Sequence, residues 1–162
     1  MRKSLEWNGK WILLLFCGCC LSLEANAQLD QCKGMPQYIA KMGVDPRKAY
    51  LSTTERNLVG LALIESEQPG NPEARILQVK QDKSWKDKGF LGAICTDQRG
   101  NSYVLAAGKV NTLLNPFEKQ NRVYKVDTYT GAMTTFVDLP MSIKPGPSNP
   151  FGVLGIFFDC SA

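Results

Sequence analysis

The lack of histidine limits which residues of this chain could take part in catalysis. The 162-residue sequence contains no histidine. A histidine general base, a histidine zinc ligand and a histidine proton shuttle are therefore excluded within the chain. Any catalysis would have to use carboxylates, lysine, tyrosine, hydroxyl groups or a cation held by oxygen ligands. Asp97 and Asp127 invite such a role, but each precedes a glycine turn, where aspartate commonly binds its own backbone.

Cysteine is the other reactive residue type. Three cysteines, Cys32, Cys95 and Cys160, follow residue 27. A disulfide is permitted in an exported chain, but an odd number leaves at least one thiol without a partner inside the chain. Alternatively, Cys95 and Cys160 are small buried residues at the ends of apolar strands. None of the three lies in a CxxC pair, so they do not predict a zinc or redox motif, and whether any disulfide forms is left open.

The first 27 residues have the pattern of a signal peptide. A basic start precedes an apolar run, Trp11–Leu23, that is too short to span a bilayer comfortably. Ala25 and Ala27 supply the small residues at positions −3 and −1 of a cleavage site. We therefore predict a signal peptide over residues 1–27, cleaved after Ala27, and a periplasmic or secreted product.

Two alternatives compete with cleavage: a buried N-terminal helix, and lipid attachment at Cys17, Cys19 or Cys20. None of these cysteines follows a good small-residue context for lipid attachment, and the order of the regions favours cleavage. The chain carries 19 Lys+Arg and 15 Asp+Glu, and the basic residues are scattered. This predicts no nucleic-acid partner. No apolar stretch after residue 27 is long enough for a membrane span, so none is predicted in the mature chain.

Residues 28–47 predict an irregular lead-in, with one or two helical turns between Pro36 and Gly43. After Pro46 the sequence changes to short apolar-rich segments separated by turn residues, which is typical of strands. The predicted strands are Lys48–Thr53, Leu58–Glu65, Ala74–Lys80, Phe90–Thr96, Ser102–Ala107, Arg122–Asp127, Met133–Leu139 and Val153–Asp159.

Two of these segments nearly repeat each other: RILQV and RVYKV begin at Arg75 and Arg122, 47 residues apart. From Phe90 to Leu139 the order of strands and turns predicts a four-stranded antiparallel meander, and a similar order begins near Lys48. Units of roughly 40–50 residues with four strands are typical of β-propeller blades. We predict an all-β fold over residues 48–162: a partial β-propeller with four-stranded blades at about 48–88 and 90–139, and the first strand of a third from residue 153. An ordinary β-sandwich is the alternative.

Three stretches resemble a known group of propellers. LGAICTDQRGNSYV resembles the inner two strands of a blade in the NHL and SMP-30/gluconolactonase group, NRVYKVDTYTG its third strand and turn, and NPFGVLGIFFD the entry to the next blade. The resemblance is taken to extend over roughly residues 48–159, and the quoted motifs specify fold better than activity. The resemblance implies a ring of about six blades. Because the sequence stops inside an apolar strand, we expect an incomplete form of a longer protein.

Connection lengths predict the functional face. In an antiparallel meander successive connections alternate between the two ends of the strands. The short turns Asp97–Asn101 and Thr128–Gly131 share one end, and the longer connections Glu67–Glu73, Gly108–Asn121 and Pro140–Pro150 share the other. Long loops on one rim commonly carry binding groups, although each polar residue there is also an ordinary solvated loop residue. The candidate binding residues are Asn111, Asn115, Phe117, Glu118, Asn121, Lys144 and Asn149.

Three functions follow from this pattern. The first is a scaffold that binds a ligand or protein through the long-loop face. The second, implied by the SMP-30 resemblance, is a metal-assisted lactonase or esterase whose divalent cation, such as calcium, is held partly by missing blades; Asn149 is the one ligand that can be matched. No other cofactor is evident. The third is a truncated product without independent activity that self-associates through open sheet edges. The sequence favours the first for the parent protein and the third for this chain alone, and it leaves enzymatic activity open.

Overall fold

The computed structural model describes residues 34–55, 57–107, 119–140 and 152–160, and these are mostly in β-sheet. Two helices of one turn each, α1 (Tyr38–Lys41) and α2 (Lys83–Lys86), and a 3-10 turn at Pro46–Lys48 lie outside the sheets. The strands are β1 (Ala49–Ser52), β2 (Ala62–Ser66), β3 (Ile76–Lys80), β4 (Leu91–Thr96), β5 (Ser102–Ala106), β6 (Arg122–Val126) and β7 (Met133–Asp138).

The strands form two antiparallel sheets, each paired in chain order. The first sheet has the order β1-β2-β3 and the second the order β4-β5-β6-β7. In the second sheet, Val104 opposes Ile94 on one side and Tyr124 on the other, so apolar residues of neighbouring strands share one face. The all-β prediction is confirmed, and every described strand overlaps a segment that the sequence predicted as strand.

The first unit differs from the predicted four-stranded blade. Its described residues form three strands, and α2 follows β3 where a fourth strand would be needed. The Asp82 side chain accepts a hydrogen bond from the Ser84 amide at 2.8 Å, which is the N-cap geometry that starts a helix. The predicted final strand is also absent: residues 152–159 are described but carry no strand. There the Val153 amide donates to the Asn121 side chain at 2.7 Å.

One apolar core lies between the two sheets. Alternate residues of β5 and β6 face it, as the two-residue period of a strand requires. Trp85 of α2 is fully buried at its centre, and its ring meets that of Tyr38 edge to face with centroids 5.8 Å apart. Burial of each large apolar side chain contributes about 1.5–3 kcal/mol. The buried members are Tyr38, Ile39, Val44, Leu61, Leu63, Trp85, Leu91, Val104, Ala106, Tyr124, Val126 and Met133.

The two sheets also meet through their first strands. Thr53, just after β1, donates its hydroxyl to the carbonyl of Gly92, near the start of β4, at 3.0 Å. The end of β1 therefore lies beside the beginning of β4, and the two sheets share a core.

Candidate functional site

The predicted binding residues lie mostly outside the part of the chain that the structure describes. Asn121 is described. The others, which lie in residues 108–118 and 141–150, are Asn111, Asn115, Phe117, Glu118, Lys144 and Asn149.

Asn121 has a structural role in the described residues. It is 3% exposed and adopts φ 59°, in the left-handed region that asparagine tolerates better than most residues. Its backbone carbonyl accepts from the Leu139 amide at 3.0 Å, and its side-chain oxygen accepts from the Val153 amide. A Cβ at Gly152 would lie 2.4 Å from that same oxygen, so the chain passes as close as glycine permits. Asn121 thus anchors residues 152–160, which we call the strap.

The strap runs over the second sheet from one end to the other. It begins at Asn121, beside the start of β6, and ends where the carbonyl of Cys160 accepts from the Gln98 side chain in the β4–β5 turn. Between these points the ring of Phe158 stacks on that of Tyr103, with centroids 6.2 Å apart and planes 18° apart. The strap is therefore held at its beginning by Asn121 and over its last three residues by the Phe158 stack and the Gln98 hydrogen bond.

The two short turns of the second sheet are joined by side-chain hydrogen bonds. Asp97 accepts from the Arg99 amide, the Asn101 amide and the Asn101 side chain, each at 2.9 Å, and from the Tyr103 hydroxyl at 3.2 Å. The Asn101 side-chain oxygen then accepts from the Thr128 amide at 3.1 Å. Burial acts to raise the pKa of Asp97, but these hydrogen bonds outweigh it and hold the pKa below its ordinary value. Asp97 is a structural turn residue, as its position before a glycine predicted.

Residues 34–41 cover this short-turn end. The amide of Tyr38 donates to the Thr128 carbonyl at 2.8 Å, and a Cβ at Gly34 would lie 2.3 Å from the carbonyl oxygen of Asp97. On the inner side, the Trp85 indole donates to the Gly131 carbonyl at 2.8 Å. Burial raises the pKa of Tyr38 to about 12, and the Ser102 hydroxyl opposes part of that rise. Among the described residues, the Tyr38 hydroxyl nevertheless has no partner in hydrogen-bond geometry. The chain itself therefore occupies this end of the second sheet.

A groove of 460 Å³ opens between β1, β4, the residues before α1 and the strap. None of the described residues that line it carries a charged side chain. Sites for small ligands commonly have about 300–1,000 Å³ and mostly apolar walls, and this groove fits that description. Its described polar side chains are few, namely Tyr50, Cys95 and Thr96, and the Thr96 hydroxyl lies 3.3 Å from the Ser102 hydroxyl. The lining residues are Met35, Pro36, Ile39, Pro46, Ala49, Tyr50, Leu51, Ile94, Cys95, Thr96, Ile156, Phe157 and Phe158.

The described cysteines have different states. Cys95, on the groove wall, is a half-buried free thiol, and burial together with the nearby Asp97 carboxylate raises its pKa. This favours the protonated thiol over the nucleophilic thiolate. Cys160, at the end of the strap, is disulfide-bonded. Of the interpretation that both are free buried cysteines, the free thiol is confirmed for Cys95, which is half-buried, and the interpretation is wrong for Cys160.

Within the described ranges, no group of three or more Cys, Asp or Glu residues is placed to hold a metal ion. No helix in the same ranges has the length and apolar character needed to cross a membrane. The comparisons with known proteins add no assignment: no family model, curated protein or solved structure matches the chain. The NHL and SMP-30 resemblance stays a prediction from the quoted motifs.

Sequence reasoning missed the groove. The Phe157-Phe158 pair was assigned to a strand, whereas Phe157 is 78% exposed at the groove and Phe158 stacks on the second sheet. Consecutive aromatic residues in a true strand would point to opposite faces, so the pair was compatible with either structure. The glycines at 152 and 155 were the available signal, because glycine weakens a strand interior.

Proposed function

We propose that this chain is an exported binding scaffold that holds an uncharged, largely apolar small molecule in the groove between its two sheets. The groove observation carries the proposal: a 460 Å³ volume, apolar walls and, among the described residues, no charged side chain in the lining. A charged ligand would lose its hydration there without gaining an ionic partner. The favoured ligand therefore has an apolar body and at most a few polar groups, which Tyr50 and Thr96 are placed to meet.

The proposal keeps the binding-scaffold function predicted from the sequence but moves the binding surface. The sequence indicated the long-loop face. Among the described residues, the concave apolar surface lies instead beside β1 and β4. We interpret the β4–β7 meander, with its chain-order pairing and two tight turns, as a blade-type unit of the predicted propeller class. The smaller sheet then supplies the second wall of the groove.

Export belongs to the same proposal. The signal-peptide pattern over residues 1–27 motivates it, and the disulfide at Cys160 supports it, because disulfides persist mainly in oxidising compartments. N-terminal sequencing of the exported protein should find Gln28 as the first residue. A protein that retains residues 1–27, or that carries a lipid on Cys17, Cys19 or Cys20, would contradict it.

Binding is tested with N-phenyl-1-naphthylamine, an uncharged apolar fluorophore that brightens when it leaves water. We expect saturable binding with one site per chain. Prior alkylation of Cys95 with N-phenylmaleimide should weaken that binding at least about tenfold, because the adduct fills the groove from its wall. Alkylation is done on folded protein, so the comparison does not depend on a variant that must refold.

Two controls make the test specific. In the Cys95→Ala variant the reagent has no groove thiol to modify, so binding of the fluorophore should survive treatment. Tyr129→Ser removes an aromatic ring that is 56% exposed in the β6–β7 turn, outside the groove lining, and should leave the affinity unchanged. Binding that is unaffected by Cys95 alkylation but is lost in Tyr129→Ser would overturn the groove as the site.

A further inference from the structure

Aromatic side chains line the groove on two of its walls. Tyr50 lies on β1 of the first sheet, and Phe157 and Phe158 lie on the strap, which runs over the second sheet. A molecule that fills the groove would therefore contact aromatic residues of both walls.

The two phenylalanines of the strap are held differently. The ring of Phe158 stacks on that of Tyr103, which in turn meets the ring of Phe136 edge to face with centroids 5.1 Å apart. Phe158 is thereby packed on the second sheet. Phe157 is 78% exposed, and among the described residues no aromatic ring packs against it. Most of Phe157 is therefore available to a ligand in the groove.

The backbone position of Phe157 is nevertheless fixed from both sides. Before it, the Val153 amide donates to the Asn121 side chain, and directly after it the Phe158 ring is stacked on β5. Between these attachments there is open space beside the strap, since a Cβ at Gly155 would meet no heavy atom within 4 Å. The neighbouring residues thus bring Phe157 to the groove, and its ring has room to settle against a bound molecule.

An exposed phenylalanine gains from burial against any apolar partner, but an aromatic partner adds a further contribution. Aromatic rings prefer offset-stacked or edge-to-face pairs, and one such pair strengthens association by about two- to tenfold beyond the effect of buried area. A cation is also attracted to the face of a ring, but the described lining residues offer no carboxylate to pair with it. The exposed ring therefore favours an uncharged aromatic ligand.

We propose that the groove selects a planar aromatic ligand and that Phe157 determines this specificity by packing its ring against the ring of the ligand. The inference rests on the proposed function and narrows its ligand class from apolar molecules in general to aromatic ones. Because Phe157 acts by direct contact, an apolar side chain without a ring at this position should keep the binding but lose the preference.

The test compares 1-naphthol with decahydro-1-naphthol, which has the same carbon skeleton and hydroxyl group but no aromatic ring. Each is titrated against N-phenyl-1-naphthylamine bound to the folded protein, so that displacement of the fluorophore gives its affinity. In Phe157→Leu the affinity for 1-naphthol should fall by about fivefold, whereas that for decahydro-1-naphthol should change by less than about twofold. Because Phe157 is mostly exposed, the substitution leaves the core of the fold unchanged.

Leu154→Ala is the matched control. Leu154 lies on the same strap and is 71% exposed, but it is not part of the groove lining, so both affinities should stay within about twofold of the wild type. Equal loss of both ligands in Phe157→Leu, or loss of neither, would overturn the role of the ring while the groove stands as a binding site. Failure of the wild-type protein to bind N-phenyl-1-naphthylamine would instead overturn the proposed function, and this inference with it.

Discussion

Asp97→Ala provides the strongest test of how the short-turn end is held together. The substitution removes four accepted hydrogen bonds at once. The loss of this acceptor does not affect the four donors equally. Asn101 is 7% exposed, so its amide and side-chain N–H groups would be left buried without an acceptor. The Arg99 amide lies in an exposed turn residue and can bind water instead.

The expected cost follows from the two buried donors. Each buried donor that loses its partner costs about 1–3 kcal/mol, so Asp97→Ala should lower the free energy of unfolding by about 3 kcal/mol. Asp97→Asn keeps Oδ1 for the two backbone amides but replaces Oδ2, which accepts from the Asn101 side chain and the Tyr103 hydroxyl, with an amide nitrogen. The Tyr103 hydroxyl can turn and accept instead, so one buried donor loses its partner and the cost should be about 1–2 kcal/mol, less than that of Asp97→Ala.

Urea unfolding followed by fluorescence measures this difference. Trp85 is the one tryptophan after residue 27 and is fully buried, so its emission reports unfolding of the core. With a urea dependence of about 1.5 kcal/mol per molar, a loss of 3 kcal/mol lowers the midpoint by about 2 M.

Asp127→Ala is the matched control. Asp127 caps the other tight turn in the same manner, accepting from the Tyr129 amide and from the Thr130 amide and hydroxyl. These donors are exposed and can turn to water, so the midpoint should move much less than in Asp97→Ala. An equal or larger shift in Asp127→Ala would refute the reasoning that burial of Asn101 sets the cost.

Three further predictions concern Tyr38, Asn121 and β3, which is an edge strand among the described residues. Because the pKa of Tyr38 is raised from 10.0 to about 12, the folded state holds a proton that the unfolded state has lost, and stability should fall by about 2–3 kcal/mol as the pH rises from 10 to 12. Tyr38→Phe should make the measured pH dependence of urea unfolding in that window shallower; an unchanged slope would contradict the burial of the hydroxyl. Asn121→Gly keeps the left-handed backbone but loses the strap contact, so it should lower the free energy of unfolding by about 1 kcal/mol. Asn121→Ala also strains that backbone and should lower the free energy by about 1 kcal/mol more, as measured by thermal melts. Val79→Lys places a charge on β3 and should reduce self-association, since lysines on an edge strand oppose strand pairing. The control is Gln68→Lys in an exposed loop, and sedimentation velocity compares the two variants. Equal association of the two variants would exclude β3 as the associating edge.

The strands could be predicted from the sequence because their turns carry specific chemistry. Asp97 and Gly100 define one tight turn and Asp127 and Gly131 another, and the apolar residues between them alternate as a two-residue period requires. The repeat at Arg75 and Arg122 also has a structural basis, because each arginine directly precedes or begins the third strand of its sheet. Local signals were sufficient for these elements.

Tertiary features could not be predicted in the same way. The order of strands gives no angle between two sheets, so the contact of Thr53 with Gly92 was not foreseeable from the repeat. Residues 152–159 have the composition of a strand, but the Val153 amide is bonded to the Asn121 side chain rather than to a neighbouring strand. The groove depends on both features. Its walls come from segments that are distant in sequence, and no local sequence pattern predicts that these segments lie close together.

Photoaffinity mapping with an uncharged apolar diazirine tests the binding proposal most directly, because it reports where such a ligand lies in the folded exported protein. We expect adducts on the groove walls, at Tyr50, at Ile94–Thr96 and at Ile156–Phe158, and competition by N-phenyl-1-naphthylamine should remove them. Adducts concentrated instead on the exposed residues of β3, or on Phe136, would contradict a ligand site between the two sheets.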